Sequence, residues 1–426
     1  MTEIAQHPGN AGAPRPPRDG FRPAMLVTDQ RYRGLVLQAV VFVLVMAAAW
    51  WLIRNAVTNL AELGKPFDMG FLFRRAGYDI PQQLIPYTSD DTHLRATIVG
   101  LLNTLLVSFL GCILATILGV LIGVLRLSPN WLISRLMTIY VEMFRNIPVL
   151  LWIYIIFAVM TEIAPAPAAY RGEDPAAVMW LGDMVAPTNR YLAVPRIALE
   201  NDPGALHLGR MSYSWALIAF LAVFAAAMIG RHFLRRWAQA RQDRTGDRPV
   251  IWWINLSMWL VPFVLMAWYF GLRLVPPELK GFNFQGGANL DNAFVALWLA
   301  LSLYTAAFIA EIVRSGIMAV PKGQSEAAAA LGVSPRRTMS KVVLPQALRV
   351  IVPPLISQYL NLTKNSSLAI AVGYMDLRGT LGGTTLNQTG RELESMALMM
   401  GIYLVLSLLI SGAMNIFNTR VRLKER

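Results

Sequence analysis

Apolar residues along this chain gather into eight long runs, at about residues 35–53, 97–125, 131–160, 212–230, 251–271, 293–318, 350–373 and 396–417. Crossing a bilayer takes roughly 20 apolar residues per helix, so the pattern predicts an all-α polytopic membrane protein of about eight transmembrane helices. An even number of crossings places both ends of the chain on the same side. The segments at about 54–96 and 161–211 are long, mixed in charge and rich in Pro and Gly. Neither has enough apolar residues for a core of its own, so both read as ordered caps or loops. Residues 1–34, with "NAGAPRPPRDGFRP", lack apolar periodicity and read as a disordered tail. The run that follows is too long for a signal-peptide core and reads as a retained membrane anchor.

Composition agrees with that division. Of 426 residues, 55% are hydrophobic and only 15% charged, with a mean hydropathy of +0.47. A net charge of +13 would suggest a nucleic-acid partner in a soluble protein. Here 22 of the 38 Lys and Arg residues fall on the side that holds both termini, although the opposite side has the longer segments. Thirteen lie on that opposite side, and Arg145, Arg314 and Lys364 lie within runs. The charge is therefore an orientation signal that places both termini in the cytoplasm, and no nucleic acid is implied. Cys112 is the single cysteine, so no intrachain disulfide forms. His7, His93, His207 and His232 are scattered without the i, i+4 spacing of a metal site. No H-E-x-x-H, G-x-S-x-G or phosphate-loop motif occurs, which argues against an integral membrane enzyme and against ATP binding by this chain.

One stretch fits neither a span nor an ordinary loop: "EAAAALGVSPRRTMSKVVLP", Glu326 to Pro345. Four consecutive alanines favour a helix, because alanine loses no side-chain entropy on ordering. Gly332 can take the left-handed conformation that ends it. Ser334 and Pro335 then suit the N-cap and first position of a second helix, which Pro345 should interrupt. The pattern specifies a helix-turn-helix outside the bilayer. Its flat alanine face suits a groove on another protein, with Arg336, Arg337 and Lys341 available to acidic groups or lipid headgroups. An amphipathic interfacial loop is the alternative.

Polar residues inside the runs are the other candidates. Ser357, Gln358, Asn361, Thr363, Lys364, Asn365, Ser366 and Ser367 crowd the seventh run. Hydrocarbon penalises each unpaired group, so this helix must face protein or a water-filled cavity and can be locally broken. Lys364 is placed either to neutralise a substrate carboxylate or to pair with Glu142 or Glu311. Glu142 and Arg145 share a helix face in the third run, which allows them to pair; alternatively Arg145 lines a pathway. Pro148 should bend that helix one turn later. Glu311 and Arg314 repeat the spacing near the inner end of the sixth run, where snorkelling or structural pairing is expected. The tryptophans near run ends, Trp50, Trp51, Trp252, Trp253 and Trp268, read as interfacial anchors.

Glu326, Ala327, Ala328, Gly332, Leu344 and Pro345 resemble the EAA signature of ATP-binding cassette (ABC) importer permeases, E-A-A-x3-G-x9-I-x-L-P, with Val342 in place of Ile. "GLLNTLLVS" from Gly100, "YVEMFRNIP" from Tyr140, "AEIVRSGIMAVPKGQSEAA" from Ala310 and "LTKNSSLAIAVGYMDL" from Leu362 are similar to the polar amino-acid members of that family. Within it, the chain most resembles the larger permease of general L-amino-acid or glutamate/glutamine/aspartate/asparagine importers. Many relatives read F-R-G-T-P and K-D-T/S-S-L where this chain has Phe144–Pro148 and Lys364–Leu368, so an acidic residue is replaced at Asn365.

The resemblance implies a type I ABC importer permease core at 97–417. It carries an inserted periplasmic segment and helical hairpin at about 161–292 and a coupling loop at about 319–349. An extra helix and periplasmic segment occupy 35–96, and a basic cytoplasmic tail 418–426. It further implies an inner-membrane subunit that moves polar amino acids by alternating access, without cofactor or metal of its own. ATP and Mg would be bound by a partner ATPase dimer docked at Glu326, Ala327, Ala328, Gly332, Arg336, Leu344 and Pro345. The other expected partners are a second homologous permease, a periplasmic amino-acid-binding protein and membrane lipid. Candidate pathway residues are Glu142, Arg145, Asn146, Lys364, Asn365, Ser366 and Ser367. An ion-coupled secondary transporter acting alone is the competing reading, although the runs show no evident internal repeat and little intramembrane acid.

Overall fold

A computed structural model describes residues 30–421 except 63, 65, 173, 174, 209, 210 and 248. Of the expected tails, 1–29 and 422–426 lie outside the described residues, while 30–34 and 418–421 are helical. The chain divides into two units, Met1–Asp68 and Met69–Arg426. The first contains α1, Gln30–Glu62, in which an 18-residue stretch within Arg33–Glu62 has a mean hydropathy of 2.4 and no buried side chain. A helix that is apolar all round and covers nothing of its own unit is suited to lipid.

The second unit continues with α2 (His93–Leu125), α3 (Trp131–Asn146) and α4 (Val149–Ala158), the last extended by a π-turn at Val159–Ile163. The expected single span at 131–160 is instead two limbs bent by 105°. A proline disfavours helical backbone at the preceding residue, and Ile147 is extended at φ −105°, ψ 133°. Pro148 therefore breaks the run rather than kinking it. Among the described residues, seven helices are long and apolar enough to cross a membrane, or eight if this bent pair is one span.

The insertion carries α5 (Trp215–Thr245) and α6 (Trp252–Tyr269) between nine short strands. The strands are β1 (Ala186–Pro187), β2 (Tyr191–Val194), β3 (Arg196–Leu199), β4 (Ala205–Leu208), β5 (Met211–Ser214), β6 (Leu272–Val275), β7 (Glu278–Lys280), β8 (Asn283–Gln285) and β9 (Ala288–Asp291). Two of those before the helical hairpin pair with strands after it, β2 with β9, from Tyr191↔Asp291 to Val194↔Ala288, and β3 with β6, while β1 pairs with β2, β4 with β5 and β7 with β8. The chain thus leaves and re-enters the body at adjacent points. α5 runs well past the apolar 212–230 stretch, because "RHFLRRWAQARQDRT" has strong helix formers at most positions.

Beyond the insertion come α7 (Asn292–Met318), α8 (Lys322–Ala330), α9 (Pro335–Thr338) and α10 (Leu344–Asn365), then the short turns α11 (Leu377–Gly379) and α12 (Leu386–Thr389), and finally α13 (Glu392–Val421). A π-turn at Met339–Val343 joins α9 to α10, and a 3-10 segment at Ser366–Val372 follows α10. The centre of the unit is the pairing of α2 with α7, against which α10 also packs. Glycine permits the close approach. A Cβ at Gly123 would lie 2.7 Å from the Ala310 carbonyl oxygen, and one at Gly119 would lie 2.6 Å from Ile309 Cβ. Helices in lipid gain little from burying apolar surface against each other, so small residues that allow such contact matter more than bulk. Val107, Ala115, Leu301, Ile309, Val313, Ile351 and Leu362 share the resulting core.

Candidate functional site

The Glu326–Pro345 stretch folds as a short helix, a tight turn and a second helix. α8 starts after Pro321 and ends at Leu331, with Gly332 left-handed at φ +74°. The Val333 N–H donates to the Ala328 carbonyl (3.0 Å) and the Gly332 N–H to the Ala329 carbonyl (2.9 Å). These are the two bonds of a Schellman cap, which satisfies carbonyls that the helix end would leave open. Ala328 is buried beneath the turn, whereas Glu326, Ala327, Ala329 and Ala330 are exposed. Leu331 at the tip is 84% exposed, and a Cβ at Gly332 would meet nothing within 4 Å. The tip is a free edge with an apolar point.

The second half differs from expectation. Ser334 has extended N-cap backbone, but its hydroxyl caps nothing. Pro345 does not interrupt the helix either, since the chain stays helical from Pro335 to Asn365. A proline lacks an N–H and its ring crowds the carbonyl four residues back. The π-turn at Met339–Val343 widens the helix just before Pro345 and relieves that crowding. Arg336 is exposed on α9, Leu344 is exposed and Pro345 half-buried at the start of α10. Gln346 Nε2 reaches Gln324 Oε1 at 3.4 Å, tying α8 to the base of α10. Ala347 and Ile351, one and two turns further, pack on the α7 side of the core, where Gly316 admits Ile351. Motion at α8 therefore has a packed route into α10.

Farther along α10, Ser357, Asn361 and Lys364 are exposed at helical spacing on one face. Thr363 and Ser366 point inward, with Ser366 Oγ donating to the Thr363 carbonyl (2.8 Å). Asn365 and Ser367 are half-buried where the α-helix tightens into the 3-10 segment. The Lys364 ammonium has no ion-pair partner among the described residues. Neither suggested acid reaches it. Glu311 is taken by arginines, and Glu142 accepts a long bond from Asn146 (3.4 Å) beside an open hollow of about 520 Å³. Arg145 pairs with Glu311 at 3.6 Å instead of with Glu142, and its guanidinium lies 5.6 Å from the Phe308 ring centroid. No hydrogen bond or ion pair among the described residues joins the Glu142–Asn146 group to the Lys364–Ser367 group.

The profile of a binding-protein-dependent transport system inner membrane component matches residues 236–423. The glutamate/glutamine/aspartate/asparagine transport system permease protein BztB of Rhodobacter capsulatus is 56% identical over 421 residues, which is 96% of this chain and 99% of that protein. The chain belongs to the amino-acid ABC transporter permeases. The general L-amino acid transport system permease protein AapQ of Rhizobium johnstonii is 45% identical to this permease, over 95% of this chain and 96% of its own. A putative amino-acid ABC transporter permease protein of Escherichia coli, YhdX, is 43% identical over 96% and 99%. Alignments of that length run through the strands and hairpin of the insertion as well as the core.

Two polar constellations in the permease escaped sequence reasoning. Glu311 holds three guanidiniums: Arg126 at 2.5 Å, Arg314 at 3.0 Å and Arg145 at 3.6 Å. Only the Arg314 spacing was visible in the sequence; Arg126 and Arg145 come from other helices. At the opposite end, two of the quoted motifs grip each other. Asn103 Nδ2 donates to the carbonyls of Gln82 and Met375 (2.9 Å each), and Thr104 Oγ1 accepts from the Leu377 N–H (3.0 Å). Buried Asp376 accepts from the Gly379 N–H (2.8 Å) and the Tyr403 hydroxyl (3.3 Å). Burial pushes its carboxyl up to about 7 despite these bonds.

Proposed function

We propose that this permease is a passive gate in an ATP-driven importer of polar L-amino acids, among them acidic amino acids and their amides. It would sit in the bacterial inner membrane with both termini cytoplasmic, beside a second homologous permease. An ATPase dimer that binds ATP and Mg would dock on α8, and a periplasmic binding protein would deliver substrate to the opposite face. One observation carries this reading: the free Leu331–Gly332 tip leads, after Val333 and Ser334, into continuous helix from Pro335 to the exposed Lys364, which has no ion-pair partner among the described residues. ATPase closure would push α8, move α10 and turn the Ser357–Asn361–Lys364 face between the two sides. Lys364 would neutralise the substrate carboxylate, and the neighbouring amides and hydroxyls would take its other polar groups. The substrate class rests on the likeness to BztB, a glutamate/glutamine/aspartate/asparagine permease, and to AapQ, a general L-amino acid permease.

The test is reconstitution with the partner subunits in proteoliposomes. Gly332→Val meets no neighbour within 4 Å, but the left-handed backbone at φ +74° strains a β-branched residue, so it should distort the turn that ends α8 and uncouple ATP hydrolysis from uptake in a subunit that still folds. Lys364→Gln should raise the substrate concentration for half-maximal uptake by about tenfold or more, the scale of one charge-assisted hydrogen bond. Full uptake by a well-expressed Gly332→Val variant, or uptake by the purified chain alone with an ion gradient, would overturn the proposal.

A further inference from the structure

We propose that the Arg231 end of the α5–α6 hairpin is a binding site for an anionic phospholipid. A cavity of about 630 Å³ is lined by Phe224, Met228, Arg231, His232, Arg235 and Trp259. Five of these lie on α5 at 224, 228, 231, 232 and 235, spacing that puts them on one face over three turns. The chemistry changes sharply along that face. Phe224 and Met228, with Trp259 opposite, are apolar; Arg231, His232 and Arg235 follow at once. From Phe224 to Arg235 the rise is roughly 16 Å, which spans a lipid from phosphate to mid-chain.

The cavity has fixed walls. Phe224 meets Trp259 edge to face at 5.0 Å, and Phe220 stacks on Phe263 at 5.9 Å. At Gly230 a Cβ would lie 2.2 Å from Met258 Cε, so the two helices touch there. The cations are not neutralised internally. Along α5, Arg231, Arg235, Arg236, Arg241 and Arg244 stand against one acid, Asp243. No carboxylate pairs with Arg231 or Arg235 among the described residues. Arg231 Nε is buried without a hydrogen-bond partner, a cost that an acceptor in the cavity would remove. A phosphate would satisfy the guanidiniums. Its acyl chain would cover Phe224 and Met228, which continue the exposed apolar surface of Leu217 and Leu221. Trp252 and Trp253, exposed where α6 begins, suit the headgroup level. Free phosphate would use only half of this site, and an acidic peptide would leave the apolar half uncovered. The inference needs the hairpin to lie in a bilayer and does not depend on the transport reading.

The experiment is native mass spectrometry of the full-length permease, purified in detergent and titrated with phosphatidylglycerol or phosphatidylcholine. Phosphatidylglycerol should be retained over phosphatidylcholine. The Arg231→Gln/Arg235→Gln pair should weaken it about thirtyfold, two arginines' worth of attraction to an anionic headgroup. The Arg231→Lys/Arg235→Lys pair should restore most of the affinity, and Arg244→Gln, outside the cavity, should change nothing. Equal retention of the two lipids, or no effect of the Gln pair on monodisperse protein, would overturn the site. So would competition by inorganic phosphate, which would mark a free-anion site. Loss of a co-purifying permease subunit from the Gln pair, without change in lipid, would show a protein contact instead and equally overturn it.

Discussion

Replacing Glu311 by Gln should be among the most damaging single polar changes in this chain, and the reason can be worked from distances and exposure. At an effective dielectric constant of about 20, each contact of about 3 Å has a gross attraction of roughly 5 kcal/mol. Desolvation offsets most of that, and measured losses on breaking a buried pair are about 3–5 kcal/mol. The three arginines are not equivalent. The Arg126 side chain is 7% exposed and Glu311 27%, whereas Arg314 and Arg145 are 33% and 35% exposed. Pairs that open to solvent contribute about 0–1 kcal/mol. Glu311→Gln should therefore cost about 3 kcal/mol, Arg126→Gln nearly as much, and Arg314→Gln and Arg145→Gln less than about 1 kcal/mol each. Thermal unfolding of purified variants, with a double-mutant cycle between Arg126 and Glu311, measures this. A neutral Glu311→Gln, or an Arg145→Gln as costly as Arg126→Gln, would refute the reasoning.

Gly123→Val should lower stability by about 1–3 kcal/mol or prevent membrane assembly, since its Cβ would meet the Ala310 carbonyl oxygen at 2.7 Å and Val313 Cβ at 2.8 Å; Gly401→Val, with open space around it, is the matched control. For Asp376 the folded carboxyl titrates above its ordinary value of 3.8, at about 7. Its stabilising contribution is thus full below about pH 4 and lost as pH rises through 7. Wild-type thermal stability should fall between pH 5 and 8 by more than that of Asp376→Asn, and parallel pH profiles would exclude this carboxyl as the cause.

How much of this was legible in the sequence depended on the range of the interaction. The α8 turn was legible because a run of alanines followed by glycine fixes a helix and its end within seven residues, and Gly332 is left-handed there. The runs at 97–125 and 293–318 were legible from hydropathy alone. Proline was harder. Pro148 and Pro345 carry the same local prohibition, yet one ends a helix and the other sits inside one, because the backbone around Pro345 accommodates the ring through a π-turn. Two of the three partners of Glu311 were out of reach, since its pairing with Arg126 and Arg145 is decided by how α2, α3 and α7 pack. Asp376 lay in a quoted motif, but its burial depends on Asn103, Thr104 and Tyr403, brought in from two other helices.

The pairing of β2 with β9 has a consequence for how such a chain could have been assembled. Val194 and Ala288 are cross-strand partners, so everything between them begins and ends at neighbouring positions in space. A two-residue turn would bridge the same gap. The 93 residues from 195 to 287 thus form a cassette with a built-in clasp: a single insertion or deletion event at that point could add or remove a helical hairpin while the flanking helices kept their places and their direction through the membrane.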